Sequence, residues 1–276
     1  MEGRFCPDWS TFEEEIKVLR QTYKKATAPL VFRGQASSEW KLETTLERSE
    51  PSAIKMLFSS YHQLICGRIA PEVKTFAGIE IPKYEPNWSL KTFSDRELFL
   101  TPDRFPDIQL YRYMAYLRHL GFPSPLLDWS RSPYVAAFFA FREPSEEVEK
   151  RSIYVYCDNP TGARGGALGE PFIHRIGSYV HTHHRHFRQR CDYTLSGMWD
   201  TVHEQWRFDS HEYVFAQRRP KQDYYWKFDL PSTLRKEVLG ILSDYNLNAF
   251  SLFGSEESLL ESMWVREYML REPLPG

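Results

Sequence analysis

The chain of 276 residues carries 35 Lys and Arg against 37 Asp and Glu, a formal net charge of −2. That balance gives no global attraction to nucleic acid or to an anionic membrane. Hydrophobic residues make up 42% and aromatics 16%, enough for a large core and too many for long disorder. No run approaches the roughly 18 apolar residues of a membrane-spanning helix. Residues 1–7 lack the apolar stretch of a signal peptide, so a cytoplasmic location and no membrane partner are expected. Cys6, Cys66, Cys157 and Cys191 stand far apart without C-x-x-C spacing, against a zinc framework and against disulfides.

In chain order, residues 11–20 predict a helix capped by Thr11, with glutamates at its positive end. Leu30-Val31-Phe32 reads as a short buried strand ending at Arg33-Gly34. Residues 51–69 have a helical pattern, and 70–108, with five prolines, reads as an irregular surface insertion. Leu110, Tyr113, Met114, Leu117 and Leu120 then recur at helical spacing over 109–120, with Gly121 placed to end the helix. Ser132-Pro133 opens another helix, apolar all round over 134–141 and therefore central.

The second half predicts strands at 153–157, about 187–195, 212–216 and 224–228. Two closing helices follow, at 231–245 and at 258–270, the latter with Ser258 and Glu261 at capping-box spacing. Residues 161–169, with four glycines, read as a mobile loop. Nothing resembles a linker between domains, so residues 1–276 are expected to form one α+β domain, a mixed β-sheet core flanked by helices.

Three blocks carry a recognisable pattern. The first is Phe32-Arg33-Gly34-Gln35, followed by Trp40, Leu42 and Arg48. The second runs from His119-Leu120-Gly121-Phe122-Pro123 through Leu126-Leu127-Asp128-Trp129-Ser130 to Ser132-Pro133 and Ala136-Ala137-Phe138-Phe139-Ala140. The third is His186-Phe187-Arg188-Gln189-Arg190-Cys191-Asp192-Tyr193-Thr194. Together they resemble the FRG domain, and the stretch 248–259 fits a subgroup of it. Ser124-Pro125 stands where that family more often has Thr-Arg.

The order of these segments is similar to that of ADP-ribosyltransferases, which implies a split sheet and NAD as substrate. In glycosyl transfer from NAD, positive charge develops at the anomeric carbon as nicotinamide leaves, and a nearby carboxylate stabilises it. On this resemblance Arg33 holds phosphate as a planar fork, Gly34 lets backbone approach the ligand, and Ser130 orients the ribose. Gln189 stands where the family of enzymes has its late-strand acid, with Glu204, Glu212 or the Glu256-Glu257 pair as substitutes. Phe32, Gln35, Trp40, His119, Asp128, Trp129 and Arg188 complete the expected ligand-binding set.

Each of these residues also has a structural use. Arg33 can pair with Asp128, Ser132 can cap a helix, His119 suits a helix C-terminus, and Gln189 can satisfy buried backbone. His181, His183, His184 and His186 alternate along an expected strand beside Arg185, Arg188 and Arg190, a poor cation site, so no metal is predicted. With Arg175 those arginines instead suggest a basic patch for a phosphate-bearing ligand or a nucleic-acid strand.

Three functions follow as expectations. The first is an NAD-directed enzyme resembling ADP-ribosyltransferases or NAD glycohydrolases, a bacterial toxin or phage-defence effector with a regulatory protein partner. The second is a non-catalytic sensor module for a nucleotide or dinucleotide. The third, and weakest, is nucleic-acid binding or processing, since no paired carboxylates at metal-ligand spacing stand out.

Overall fold

The computed structural model describes residues 2–26, 28–96, 106–144, 147–160, 169–217 and 223–271. Eight strands form one sheet: β1 (Glu2–Phe5), β2 (Val31–Gln35), β3 (Leu127–Ser130), β4 (Lys150–Asp158), β5 (Phe172–Arg175), β6 (Cys191–Asp200), β7 (Gln205–Phe208) and β8 (Asp223–Pro231). Their order is β1-β8-β4-β2-β3-β6-β5, with β7 also paired to β6. β1 lies parallel to β8 and the remaining pairs are antiparallel. The fold is α+β, a single mixed sheet flanked by helices.

Side-chain alternation divides the core. Phe32, Ile153, Val155, Trp226 and Phe228 point to one face and pack on the helices Trp9–Thr22, Pro133–Phe141 and Arg235–Asp244. Val31, Tyr154, Tyr156 and Tyr225 point to the other face, joined by Trp129 and Val214. Cys191, Tyr193 and Leu195 of β6 pack against Tyr111 and Met114 of the helix Ile108–His119. The aromatic abundance mostly builds these cores; Tyr156 and Tyr225, for instance, stack with centroids 4.6 Å apart.

The helix Pro133–Phe141 starts as expected: the Ser132 hydroxyl accepts from the Val135 N–H and proline occupies the first turn. It is buried nearly all round. Gly34 of β2 lies directly beneath it. A Cβ at Gly34 would come within 1.8 Å of the Ala136 carbonyl oxygen and 2.7 Å of the Ala140 nitrogen. This glycine admits the backbone of the central helix, and it also lines the cleft described below.

Several local expectations are corrected. The first helix is capped by Asp8, whose carboxylate accepts from the Thr11 N–H, rather than by Thr11. Residues 51–69 form three short pieces, a 3₁₀ turn at Pro51–Lys55, an α-turn at Phe58–His62 and a π-turn at Gln63–Arg68. Within the span read as irregular, Ala70–Ala77 and Pro86–Phe93 are helical, and Phe93 is fully buried. Of that span, 97–105 lies outside the described residues, as does 161–168 of the glycine-rich loop.

His184–Arg188 is a short helix, stopped by Arg190 with φ of 50°, and β6 begins only at Cys191. His211–Gln217 is a helix rather than a strand, because the Ser210 hydroxyl accepts from the Tyr213 N–H at its start. The last helix, Glu256–Trp264, takes its capping box from Ser255 and Ser258, not from Ser258 and Glu261. Strands β1 and β5 carry no clear signal in the sequence.

Candidate functional site

The sheet is weakly joined at one place. β2 meets β3 through the single pair Phe32–Ser130, whereas β2 pairs with β4 from Val31 to Gln35 and β3 with β6 from Leu127 to Ser130. Beyond that pair the two halves diverge, and a cleft of about 220 Å³ opens at the seam. Arg33, Gln35, Trp40, Arg48, Asp128, Ser130, Arg142, Glu143, Gln189 and Cys191 all reach it. A larger groove of about 610 Å³ lies between the first helix and Tyr134, but it is open and lined mainly by side chains of that one helix. The seam is the place where chemistry-bearing groups converge.

Asp128 is the hub. Arg33 Nη1 donates to both the Asp128 carbonyl and its Oδ1 at 2.9 Å, and Arg118 Nη2 donates to the same Oδ1 at 2.6 Å. Burial works to raise the Asp128 pKa, but the charges of Arg118 and Arg33 outweigh it and hold the carboxyl well below its usual range. Its side chain keeps 38% of its surface exposed, while that of Arg33 keeps 9%. Arg33 Nε is buried without a hydrogen-bond partner, so this guanidinium has a donor unused by Asp128.

Ser130 and Gln189 are near each other but already committed. The Ser130 hydroxyl donates to the Gln189 carbonyl at 2.8 Å and accepts from the Ser132 N–H at 3.0 Å, which shapes the turn into the central helix. Gln189 Nε2 donates to the Leu252 carbonyl at 3.3 Å, and its Oε1 accepts from Cys191 Sγ at 3.7 Å. Gln189 sits after the short helix and before β6, not on the strand as expected. The Gln35 amide donates to the Lys41 carbonyl at 3.0 Å, leaving its buried oxygen without a partner.

Trp40 is 54% exposed beside this group, a flat surface available for stacking. Arg48 also lines the cleft, exposed, and its side chain makes no ion pair or hydrogen bond among the described residues. Arg142, by contrast, is clamped by Glu261 through two bonds of 2.6 Å. The lining thus holds three arginines against the carboxylates of Asp128 and Glu143.

Other expected site residues contribute less or lie elsewhere. Phe32 and Trp129 line the cleft only with parts of largely buried residues; the Trp129 indole donates to Thr194 Oγ1 at 2.9 Å. Thr194 Oγ1 continues to His211 Nε2 at 2.9 Å, and His211 Nδ1 reaches Ser196 Oγ at 3.2 Å. Burial drives the His211 imidazole down to about 3, so it is neutral and structural. Arg188 donates to the Phe250 carbonyl and Glu204 is exposed in the β6–β7 turn; neither lines the cleft. Of the expected basic patch, Arg175 is buried against Asp192 at 2.6 Å, while Arg188 and Arg190 are exposed.

His119 is also outside the cleft. Its Nε2 lies 2.7 Å from the Tyr193 hydroxyl, and burial drives its pKa down to about 3. His186 reaches the same hydroxyl through Nδ1 at 3.1 Å, which corrects the expected alternation of histidines along a strand. Arg118, Arg142, Glu143 and Cys191 were not singled out in the sequence as site residues, and Arg48 only as part of a motif. No local signal marks them, since contacts between distant segments define their roles.

The FRG domain model matches residues 28–149. The match takes in β2, β3, Arg48, Arg118 and the central helix, and so both strands of the seam. The block at 186–194 lies beyond the matched span yet brings Gln189 and Cys191 to the same cleft. Neither the curated proteins nor the solved structures offer a match to this chain. Among the described residues, no helix is long and apolar enough to cross a membrane.

Proposed function

We propose that the seam cleft of this FRG domain binds a phosphate-bearing nucleotide, with NAD as the candidate ligand. The observation that carries this reading is Arg48, whose guanidinium has no ion pair or hydrogen bond among the described residues and lines, with Arg33, a cleft that Trp40 also walls. A phosphate accepts from both guanidinium groups as charge-assisted bonds, and a base or nicotinamide ring stacks on the indole. At about 220 Å³ the cleft is smaller than the ~300–1,000 Å³ of typical ligand sites, so it takes part of a dinucleotide and the rest lies along the surface. The choice of NAD rests on the succession β2, β3, β6 in the sheet, which parallels the segment order of ADP-ribosyltransferases.

The test is a thermal-shift and calorimetric titration with NAD, ADP-ribose, AMP and nicotinamide riboside. The phosphate-bearing compounds raise the melting temperature and nicotinamide riboside does not, and Arg48→Ala removes the effect. Failure of all four to bind the folded protein would sink the reading.

Turnover is a second reading, favoured by the partly exposed, ionised Asp128 carboxylate in the cleft. In glycosyl transfer the nicotinamide nitrogen takes the bonding electrons and water or an acceptor hydroxyl adds to the ribose carbon; a carboxylate stabilises the cation between. Asp128 is shared by two arginines, which weakens it for this task. Nicotinamide release that Asp128→Asn abolishes would establish the enzyme; binding without release leaves a sensor module. A cytoplasmic setting, a toxin or phage-defence role and a regulatory protein partner belong to the same proposal and rest on the family resemblance.

A further inference from the structure

Behind the cleft lies a cluster that the nucleotide reading does not use. His119 ends the helix Ile108–His119, His186 lies in the short helix His184–Arg188, and Cys191 opens β6. One donor atom from each lies within 4.8 Å of the other two. We propose that His119, His186 and Cys191 form a site for one zinc-class divalent ion that braces the floor of the seam cleft.

The chemistry of the donors selects the class of ion. A thiolate with two imidazoles suits zinc and excludes magnesium or calcium, which take oxygen donors. In a tetrahedral zinc site, with Zn–N near 2.0–2.1 Å and Zn–S near 2.3 Å, neighbouring donors stand about 3.3–3.6 Å apart. The cluster therefore needs to close by no more than about 1.5 Å to reach that geometry. The Tyr193 hydroxyl, 2.7 Å from His119 Nε2 and 3.1 Å from His186 Nδ1, places an oxygen beside both rings as a fourth donor.

A second feature points the same way. His186 Nε2 lies 3.0 Å from the Ser178 carbonyl, which can only accept, so the ring proton resides on Nε2. The Nδ1 lone pair then faces the cluster. A metal-ligating histidine is characteristically held in this way, its other N–H given to a backbone carbonyl that sets tautomer and ring direction. On binding, the Cys191 thiol loses its proton to solvent and the resulting thiolate offsets one of the two positive charges. The adjacent cation Arg118 is paired with Asp128 at 2.6 Å, a carboxylate it shares with Arg33.

Gln189 and Cys191 reach both this cluster and the cleft. An ion here ties two helices to the first residue of β6 and holds that half of the seam in place.

The experiment uses the full chain, stripped with a chelator and titrated with Co²⁺. One Co²⁺ per chain is expected, with a thiolate-to-cobalt charge-transfer band in the near ultraviolet, a rise in melting temperature, and displacement of the band by Zn²⁺. Cys191→Ser loses the band while its circular dichroism and metal-free melting match those of the stripped wild type. Should Cys191→Ser fail to fold, His119→Gln, which keeps a hydrogen-bonding partner for Tyr193, carries the same test through weakened binding. A folded wild-type chain that takes up no Co²⁺, or takes it up without the thiolate band, overturns the proposal. So does a band that persists unchanged in both variants.

Discussion

Arg33 and Asp128, 95 residues apart in the chain, meet across the seam of the sheet through two bonds of 2.9 Å from a single guanidinium nitrogen. The strands that carry them share only one backbone pair, so this side-chain link, with Arg118 on the same carboxylate, supplies much of what holds the halves together. Arg33 therefore has a structural role in the seam, and the proposed ligand contact falls to donors that Asp128 leaves unused.

Asp128→Asn tests that link. Removing the charge leaves Arg33 and Arg118 without their shared counter-ion, at a cost of about 1–3 kcal/mol once the partial exposure of the carboxylate is allowed for. Urea unfolding at pH 7 measures it. Because the folded-state pKa is depressed, the stabilisation is complete above the unfolded value of about 4 and is lost as pH falls below it. The gap between wild type and Asp128→Asn is expected to stay level from pH 8 to 5 and to shrink in stronger acid.

Gly34→Ala is expected to be among the most damaging single changes in the protein. The added methyl would meet backbone atoms of Ala136 and Ala140, which cannot swing aside as a side chain would. A loss of about 3 kcal/mol, at the upper end for overpacking, is the expected size. Differential scanning calorimetry would read it, and an unchanged melting temperature would mean that strand and helix are farther apart than described.

Arg48 and Arg33 separate binding from folding. Arg48→Ala removes an exposed cation whose side chain has no hydrogen bond or ion pair among the described residues, so stability is expected to change by no more than about 0.5 kcal/mol. Nucleotide affinity should fall by about tenfold or more, the worth of a charged hydrogen bond. Arg33→Ala should lose both affinity and stability, because it also strips Asp128 of a partner. Paired calorimetric titrations and urea melts on the two variants check this contrast.

His211 predicts an acid sensitivity that begins near neutrality. Buried and neutral, with its pKa driven to about 3, it must take up a proton on unfolding at any pH between that value and about 6.5. Stability accordingly falls with pH across this window, by up to about 1.4 kcal/mol per pH unit from this group alone. His211→Asn is expected to be less stable at pH 7.5 but to show a shallower slope between pH 6.5 and 4. Equal slopes in denaturant melts across that range would contradict the assignment.

Local chemistry made much of the fold legible in the sequence. Ser132-Pro133 marks a helix start wherever it stands, the spacing from Leu110 to Leu117 admits one amphipathic helix, and buried runs such as 153–157 read as strand. Segments at 187–195 and 212–216 were misread because a short mixture of aromatic, aliphatic and charged residues fits either period. The hydroxyl of Ser210 and the left-handed backbone at Arg190 settled them instead.

By itself, then, the sequence determined the α+β class, the central helix and the FRG blocks that supply the seam. It also offered Asp128, or another buried carboxylate, as a partner for Arg33, because opposite charges in two recognisable motifs are readable without coordinates. Only the tertiary structure decided that Arg118 completes that pair, that Arg48 reaches the cleft, and that His119, His186 and Cys191 converge behind it. Periodicity reports which face of an element is buried; which distant faces meet is set by packing, and no local pattern encodes it.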